Sequence, residues 1–198
     1  MKDKKMKKIG ILGGTFNPIH NGHLSLASQA KEKFSLDKVI FIPSALPPHK
    51  EEDSLLDSSN RYLMTILATS DNDDFIVSDI EIKRGGRSYT LDTLKEIKKI
   101  YGEETTIYFI TGCDVISEIN TWKEVESLFK LCTFIVANRP GYSLKIEECY
   151  SRHIKELIIP GLDISSTRIR EKIKHKESVK YLVPDLVYKH LVNYNLYS

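Results

Sequence analysis

The stretch Lys8-Ile-Gly-Ile-Leu-Gly-Gly-Thr-Phe-Asn-Pro-Ile-His-Asn-Gly-His23 constrains the fold of this chain more than any other. Its apolar run, Ile9 to Leu12, is unbroken rather than alternating. That pattern predicts a central strand of a parallel sheet, covered on both faces. Gly13 and Gly14 follow; without a Cβ, the backbone there can turn sharply and approach a ligand closely. From about Asn21, Leu24, Ala27, Ala30 and Phe34 recur at helical spacing. Strand, glycine turn and helix start leave unpaired N–H groups at the positive end of a helix dipole, a place suited to phosphate. His20 and His23 lie beside it. Alone, neither pair identifies a site: tight turns need glycine anyway, and two histidines fit surface positions or a metal lacking its third ligand.

Downstream, strand and helix patterns alternate. Lys38–Ile42 reads as the second strand, and the proline-rich Pro43–Lys50 that follows reads as irregular. It places His49 and Lys50 beyond the carboxyl end of a strand, where open α/β sheets bind ligands. Ser58–Ser70 reads as a helix capped by Ser58 or Ser59. Phe75–Val77 is a third strand that Ile80–Ile82 extends or follows, before the basic glycine loop Lys83–Ser88. Thr90 is expected to cap a helix over Leu91–Tyr101, stopped by Gly102. Thr105–Ile110 is rich in β-branched and aromatic residues and predicts a strand. Beyond it, Asp114 suits either a helix cap or a ribose-hydroxyl acceptor at the sheet edge. Trp122, the only tryptophan, suits either core packing or stacking on a flat ring. Glu124–Lys130 predicts a helix, Cys132–Ala137 a buried strand, Ser143–Ile154 a helix and Glu156–Ile159 a last strand. The alternation gives a doubly wound α/β fold.

The final third carries a second signal, Ile164-Ser-Ser-Thr-Arg-Ile-Arg170, with hydroxyls at the start of a helix running to about His175. Hydroxyls, N–H groups and guanidinium there suit a second phosphate cradle; a capped amphipathic helix with arginines in solvent is the plainer alternative. Pro184 opens a last helix whose Leu186, Val187 and Leu191 are expected to pack on the sheet.

Net charge is only +2, so phosphate binding must come from local placement of cations rather than a global field, and a nucleic-acid surface is not expected. Cys113, Cys132 and Cys149 form no Cys-x-x-Cys pair, which predicts reduced thiols of a cytoplasmic protein and argues against structural zinc. The basic start has too short an apolar run for a signal peptide, and nothing approaches the roughly 18 apolar residues of a membrane span. Met6 offers an alternative start.

The string Gly14-x-x-x-Pro18-x-His20-x-x-His23 resembles the nucleotide-binding signature of the nucleotidyltransferase superfamily. With Pro47-Pro-His-Lys50, Ser88-Tyr-Thr90, Gly112-Cys-Asp114, Trp122, Arg139-Pro-Gly141, Ile164–Arg170 and Tyr181–Pro184 added, the chain is similar over nearly its whole length to bacterial nicotinate-nucleotide adenylyltransferases. The resemblance implies a Rossmann-like domain over residues 1–198, with 164–198 a C-terminal helical portion packed on it. It implies adenylyl transfer from ATP to nicotinate mononucleotide, giving deamido-NAD and pyrophosphate. His20, His23 and Arg170 would be catalytic. Gly13, Gly14, Thr15, Phe16, Ser165, Ser166 and Thr167 would bind ATP. Lys50, Tyr89, Thr90, Asp114, Trp122 and Arg139 would bind the second substrate. No protein metal site is implied; Mg2+ would be held mainly by ATP phosphates. ATP and nicotinate mononucleotide are the expected partners, with no nucleic acid or membrane, and a homo-oligomer is open. Asn17 departs from the family's usual Asp, with a modest effect on rate expected. Nicotinamide mononucleotide or phosphopantetheine as acceptor, or a regulatory module that holds ATP without turnover, are the competing expectations.

Overall fold

The computed structural model describes residues 6–47, 55–116, 119–138, 148–159 and 164–198. Among them, six strands form one all-parallel sheet: β1 (Lys8–Gly14), β2 (Lys38–Pro43), β3 (Phe75–Val77), β4 (Thr106–Gly112), β5 (Cys132–Asn138) and β6 (Ile154–Ile158). Their order is β3-β2-β1-β4-β5-β6, so the direction of winding reverses between β1 and β4. Ile11 of β1 is opposite Ile40 on one side and Phe109 on the other.

Both faces of the sheet are covered, as the unbroken apolar strands require. Because side chains alternate across a strand, Leu12, Val39 and Phe41 enter one core while Ile9, Ile11, Ile40 and Ile42 enter the other. The first core takes Ala27 and Ala30 of α1 (Asn21–Phe34) and Met64 and Ala68 of α2 (Ser58–Thr69). The second takes Leu91, Leu94 and Ile97 of α4 (Thr90–Tyr101) and Leu128 of α6 (Val125–Leu131). Near the C-terminus lie α8 (Ser166–Lys174) and α9 (Asp185–Asn193), whose Ile169, Val187 and Leu191 are buried in the first core. Each contributes roughly 1.5–3 kcal/mol by leaving water. His190 of α9 also meets Asn60 of α2, with Nε2 3.1 Å from Oδ1. No helix among the described residues is long and apolar enough to cross a membrane.

Several expected boundaries are corrected. Ile80–Ile82 is not strand but the start of a short helix, α3 (Ile80–Arg84). The β3 ladder to β2 ends at Phe41–Val77, and the chain turns back on itself where Lys83 N–H reaches Asp79 O and Gly85 N–H reaches Glu81 O. Gly85 stops that helix at φ 70°, in the region that glycine tolerates. Asp57, rather than Ser58 or Ser59, caps α2, because its carboxylate accepts from Asn60 N–H at 3.0 Å. Tyr89 holds the cap position of α4, so Thr90 is its first helical residue. Asp114 likewise lies inside α5 (Cys113–Ile116). The helix expected to end at Ile154 is seen only as α7 (Glu148–Ser151), residues 143–147 lying outside the described set. Ile154 instead opens β6, because it pairs with Phe134 in the ladder to β5.

Candidate active site

The carboxyl ends of β1, β2, β4 and β5 share one edge, with the reversal point between β1 and β4 at its centre. Ligands bind in such a crevice because the loops on either side diverge there. Gly13 and Gly14 end β1 at this edge. A Cβ on Gly14 would come 2.9 Å from the Phe16 ring, so only glycine lets that ring fold back. Phe16 itself has φ 49°, costly for a bulky residue and found mainly where surroundings enforce it. Its ring is buried, 6.0 Å from Phe41 and edge-on to His23 at 5.1 Å. Any part of Phe16 in binding therefore falls to its backbone.

His20 occupies the cap position of α1, and its N–H donates to His23 Nδ1 at 3.2 Å. Since that nitrogen accepts, the neutral His23 ring carries its proton on Nε2, leaving a donor for the cleft it lines. The two rings stack at 3.7 Å. Burial lowers the pKa of His20 to about 4. Burial first, and then the proximity of His20, holds His23 well below the usual histidine range. Both are therefore neutral at pH 7 in the free protein, hydrogen-bonding groups rather than fixed cations. The buried Nδ1 of His20 has no partner among the described residues, and Gly22 permits its approach, since a Cβ there would lie 3.0 Å away.

The start of α8 is fastened to this loop. Ser166 donates its hydroxyl to Pro18 O at 2.9 Å, and Arg170 Nη1 donates to Asn17 O at 2.8 Å. Arg170 Nη2 also reaches Thr167 Oγ1 at 3.3 Å. Ser165 caps the helix by accepting from Arg168 N–H. The Ser165 and Ser166 hydroxyls thus serve the protein itself, while the first-turn N–H groups lack intrahelical partners by the geometry of a helix end. Asn17 is held too: its Oδ1 accepts from Tyr197 Oη and from Leu56 N–H.

Across the reversal point lies a cavity of about 790 Å³, lined by Ser88, Tyr89, Thr90, Asp114, Trp122 and Lys123 among others. An adjoining cavity of about 450 Å³ shares Ser88, Thr90 and Trp122 and reaches Gly13, Gly14, Thr15 and His23. Trp122 packs edge-on to Phe109 at 6.0 Å and Phe134 at 6.3 Å, so core packing and cleft lining are both true of it. Lys123 Nζ sits 5.1 Å over the Tyr89 ring. Gly13, Gly14, Thr15, His23, Tyr89, Thr90, Asp114 and Trp122 thus line adjoining cavities at one edge, and Ser166 and Arg170 are fastened to the loop beside them; His49, Lys50 and Arg139 fall outside the described residues. No group of three or more His, Cys, Asp or Glu side chains among the described residues is placed to hold a metal ion.

Sequence reasoning missed Arg61. It is 1% exposed, and its guanidinium donates to Thr15 O, Ser44 O, Ala45 O and Leu56 O at 2.7–2.8 Å. The signal was available: Arg61, Met64, Thr65 and Ala68 share the buried face of α2, and a cation at an apolar-face position demands partners.

The cytidylyltransferase-like family profile matches residues 11–172. A relative from Thermoanaerobacter sp. (strain X514), named probable nicotinate-nucleotide adenylyltransferase, is 49% identical over 96% of this chain and 94% of its own. One from Moorella thermoacetica with the same name is 48% identical, covering 96% and 91%. Among solved structures, the Plasmodium falciparum nicotinic acid mononucleotide adenylyltransferase complexed with NaAD superposes with a TM-score of 0.79 at 24% identity, over 96% of this chain and 97% of that one.

Proposed function

The chain belongs to the nicotinate-nucleotide adenylyltransferases within the cytidylyltransferase-like family, and from that membership we propose that it joins ATP to nicotinate mononucleotide, releasing pyrophosphate and forming deamido-NAD in NAD synthesis. One observation carries the assignment of the site. Arg170, far in sequence from the stacked, neutral His20–His23 pair, is tied to the same loop by its bond to Asn17 O, at the crevice where the sheet reverses.

A phosphate oxygen of the mononucleotide attacks the α-phosphorus of ATP, and the bond from that phosphorus to the oxygen bridging the β-phosphorus breaks. The electron pair leaves with pyrophosphate. No covalent enzyme intermediate is needed, because the nucleophile is already anionic. The protein's work is positioning and stabilisation of charge on the leaving group. His23, through Nε2–H, and His20 donate to ATP phosphate oxygens. Arg170 and the N–H groups of Ser166 and Thr167 at the start of α8 take the β- and γ-phosphates, while the Gly13–Phe16 backbone lies along the nucleotide. An arriving phosphate favours the protonated imidazole, so ligand binding raises the histidine pKa values that burial lowers. Magnesium accompanying ATP would be held by phosphate oxygens and water rather than by a side chain of this chain, and would neutralise part of the phosphate charge.

For the acceptor, Trp122 stacks on the pyridine ring and the backbone at Tyr89–Thr90 receives the nicotinate carboxylate at the start of α4. Asp114 takes the ribose; Lys50 and Arg139 are assigned to this substrate by resemblance. The test is pyrophosphate release with ATP and magnesium, supplying nicotinate mononucleotide, nicotinamide mononucleotide and phosphopantetheine in parallel. A strong preference for the nicotinate form is expected. Equal rates with both pyridine nucleotides would remove the carboxylate assignment, and ATP binding without release from any acceptor would turn the conclusion to a regulatory module.

A further inference from the structure

Beneath the cleft, buried polar groups that the reaction does not touch run from one substrate side to the other. At the first end, Arg61 ties together the loop after β1 (Thr15 O, 2.8 Å), the loop after β2 (Ser44 O, 2.7 Å, and Ala45 O, 2.8 Å) and the segment before α2 (Leu56 O, 2.8 Å). Ala45 then donates its N–H to Ser88 Oγ at 3.0 Å. Ser88 also lies near enough to Glu81, which is 7% exposed, for its hydroxyl to oppose the rise in that carboxyl's pKa. Because Ser88 Oγ accepts from Ala45, its single proton is available for the carboxylate. The Thr93 hydroxyl, in the first turns of α4, reaches Glu81 Oε1 at 2.6 Å. Arg84 Nη2 donates to Thr93 Oγ1 at 3.0 Å, and its Nη1 lies 3.2 Å from Glu96. Hydrogen bonds therefore link Thr15, beside the proposed ATP site, through Arg61 and Ala45 to Ser88, which immediately precedes the start of α4 beside the proposed pyridine site.

A buried guanidinium and a buried carboxylate are each costly, by several kcal/mol, and apolar residues in their place would often pack as well. Here they do not neutralise one another directly. Arg61 is satisfied instead by backbone carbonyls of three segments and Glu81 by the Thr93 hydroxyl of α4, and buried hydrogen bonds that join separate segments fix their geometry. Burial raises the Glu81 pKa, while hydrogen bonds from Thr93 and Ser88 and the charge of Arg84 oppose that rise. Glu81 also lines the cleft wall beside Ser88, Thr90, Thr93 and Trp122.

We propose that Arg61 and Glu81 are positioning residues which, through Ala45 and Ser88, hold the first turn of α4 at a set distance from the loop after β1. This rests on the assignment of the α4 start to the mononucleotide, since only then does its displacement weaken one substrate in particular.

The test is steady-state pyrophosphate release by the full chain, with melting temperatures recorded, for Glu81→Gln, Ser88→Ala, the double variant, Arg61→Lys and Trp122→Ala. Glu81→Gln and Ser88→Ala are each expected to raise the KM for nicotinate mononucleotide about tenfold, because small displacements are amplified in binding geometry. The KM for ATP should move by less than about twofold, and the double variant should fall short of the product of the two, as residues in one network do. Arg61→Lys keeps the charge but loses the fork, and should raise both KM values. Equal effects of Glu81→Gln and Ser88→Ala on both substrates, losses that merely follow melting temperature, or a multiplicative double variant would overturn the proposal, as would an Arg61→Lys effect on ATP alone. Trp122→Ala separates the two levels. If it leaves the mononucleotide KM unchanged, the site assignment fails and the positioning role falls with it. If it raises that KM while Glu81→Gln and Ser88→Ala do not, the positioning role alone fails.

Discussion

The two sides of the cleft are built differently. On the β1 side, Phe16, Asn17 and His20 are buried, and Arg61, Tyr197, Ser166 and Arg170 brace the loop from α2, the C-terminus and α8. On the α4 side, Asp114 is exposed, Val115 is 43% exposed, and Tyr89, Thr90 and Trp122 are half-buried around a wide cavity. The difference follows the proposed division of labour. Charge developing on phosphate oxygens is stabilised only by donors already in place, since reorganisation at the moment of reaction cancels the gain. A flat, amphipathic pyridine nucleotide can complete an open wall by its own stacking and burial. The braced side should therefore answer to mutation in turnover, and the open side in KM.

The largest test of that contrast is His23→Ala. Losing one preorganised donor costs about 2.7–4 kcal/mol in the transition state, so kcat for pyrophosphate release should fall about 10²-fold or more, with circular dichroism unchanged. Near-normal turnover would remove His23 from the mechanism. Next is the pH dependence of folding. Unfolded His20 titrates at its ordinary 6.5, whereas the folded residue resists protonation until about 4. Between those values the unfolded chain binds more protons, so stability is full above pH 6.5 and is lost as pH falls towards 4, by roughly 3 kcal/mol from His20. His23 acts in the same sense. Glu81, whose pKa is raised, acts in the opposite one, so the comparison is with His20→Gln. Denaturant unfolding across this range should show a shallower pH dependence in that variant; an unchanged slope would mean that burial of His20 is not what separates the two states.

On the open side, Trp122→Ala should raise the KM for nicotinate mononucleotide about tenfold with kcat largely kept, as expected for a lost stacking surface worth roughly 1–3 kcal/mol. Trp122→Phe should recover most of it. An effect confined to kcat would erase the contrast between the sides. The smallest effect is expected from Asn17→Asp. A carboxylate keeps the acceptor for Tyr197 and Leu56, and its attraction to Arg170 offsets the cost of burying the charge, so kcat/KM should change by no more than about threefold.

Much of this was written in short-range pattern. Apolar runs and helical spacing located the strands and the long helices, and glycines, histidines and hydroxyls at element ends marked both loops proposed to face phosphate. Pattern failed where several local structures satisfied it equally. Ile80-Glu-Ile82 alternates like a strand, yet forms a helix because the sheet offers it no further partner. Residues 165–167 all read as phosphate-facing hydroxyls, yet Ser165 caps α8 and Ser166 bonds Pro18.

By itself, then, the sequence determined the fold class and pointed to the edge of the sheet where the candidate site lies, because periodicity and turn chemistry act over a few residues. Only the tertiary structure decided which groups meet. Arg61 finds Thr15 across 46 positions, and Arg170 finds Asn17 across 153. Periodicity says which face a side chain takes; what lies opposite that face depends on how the sheet is wound.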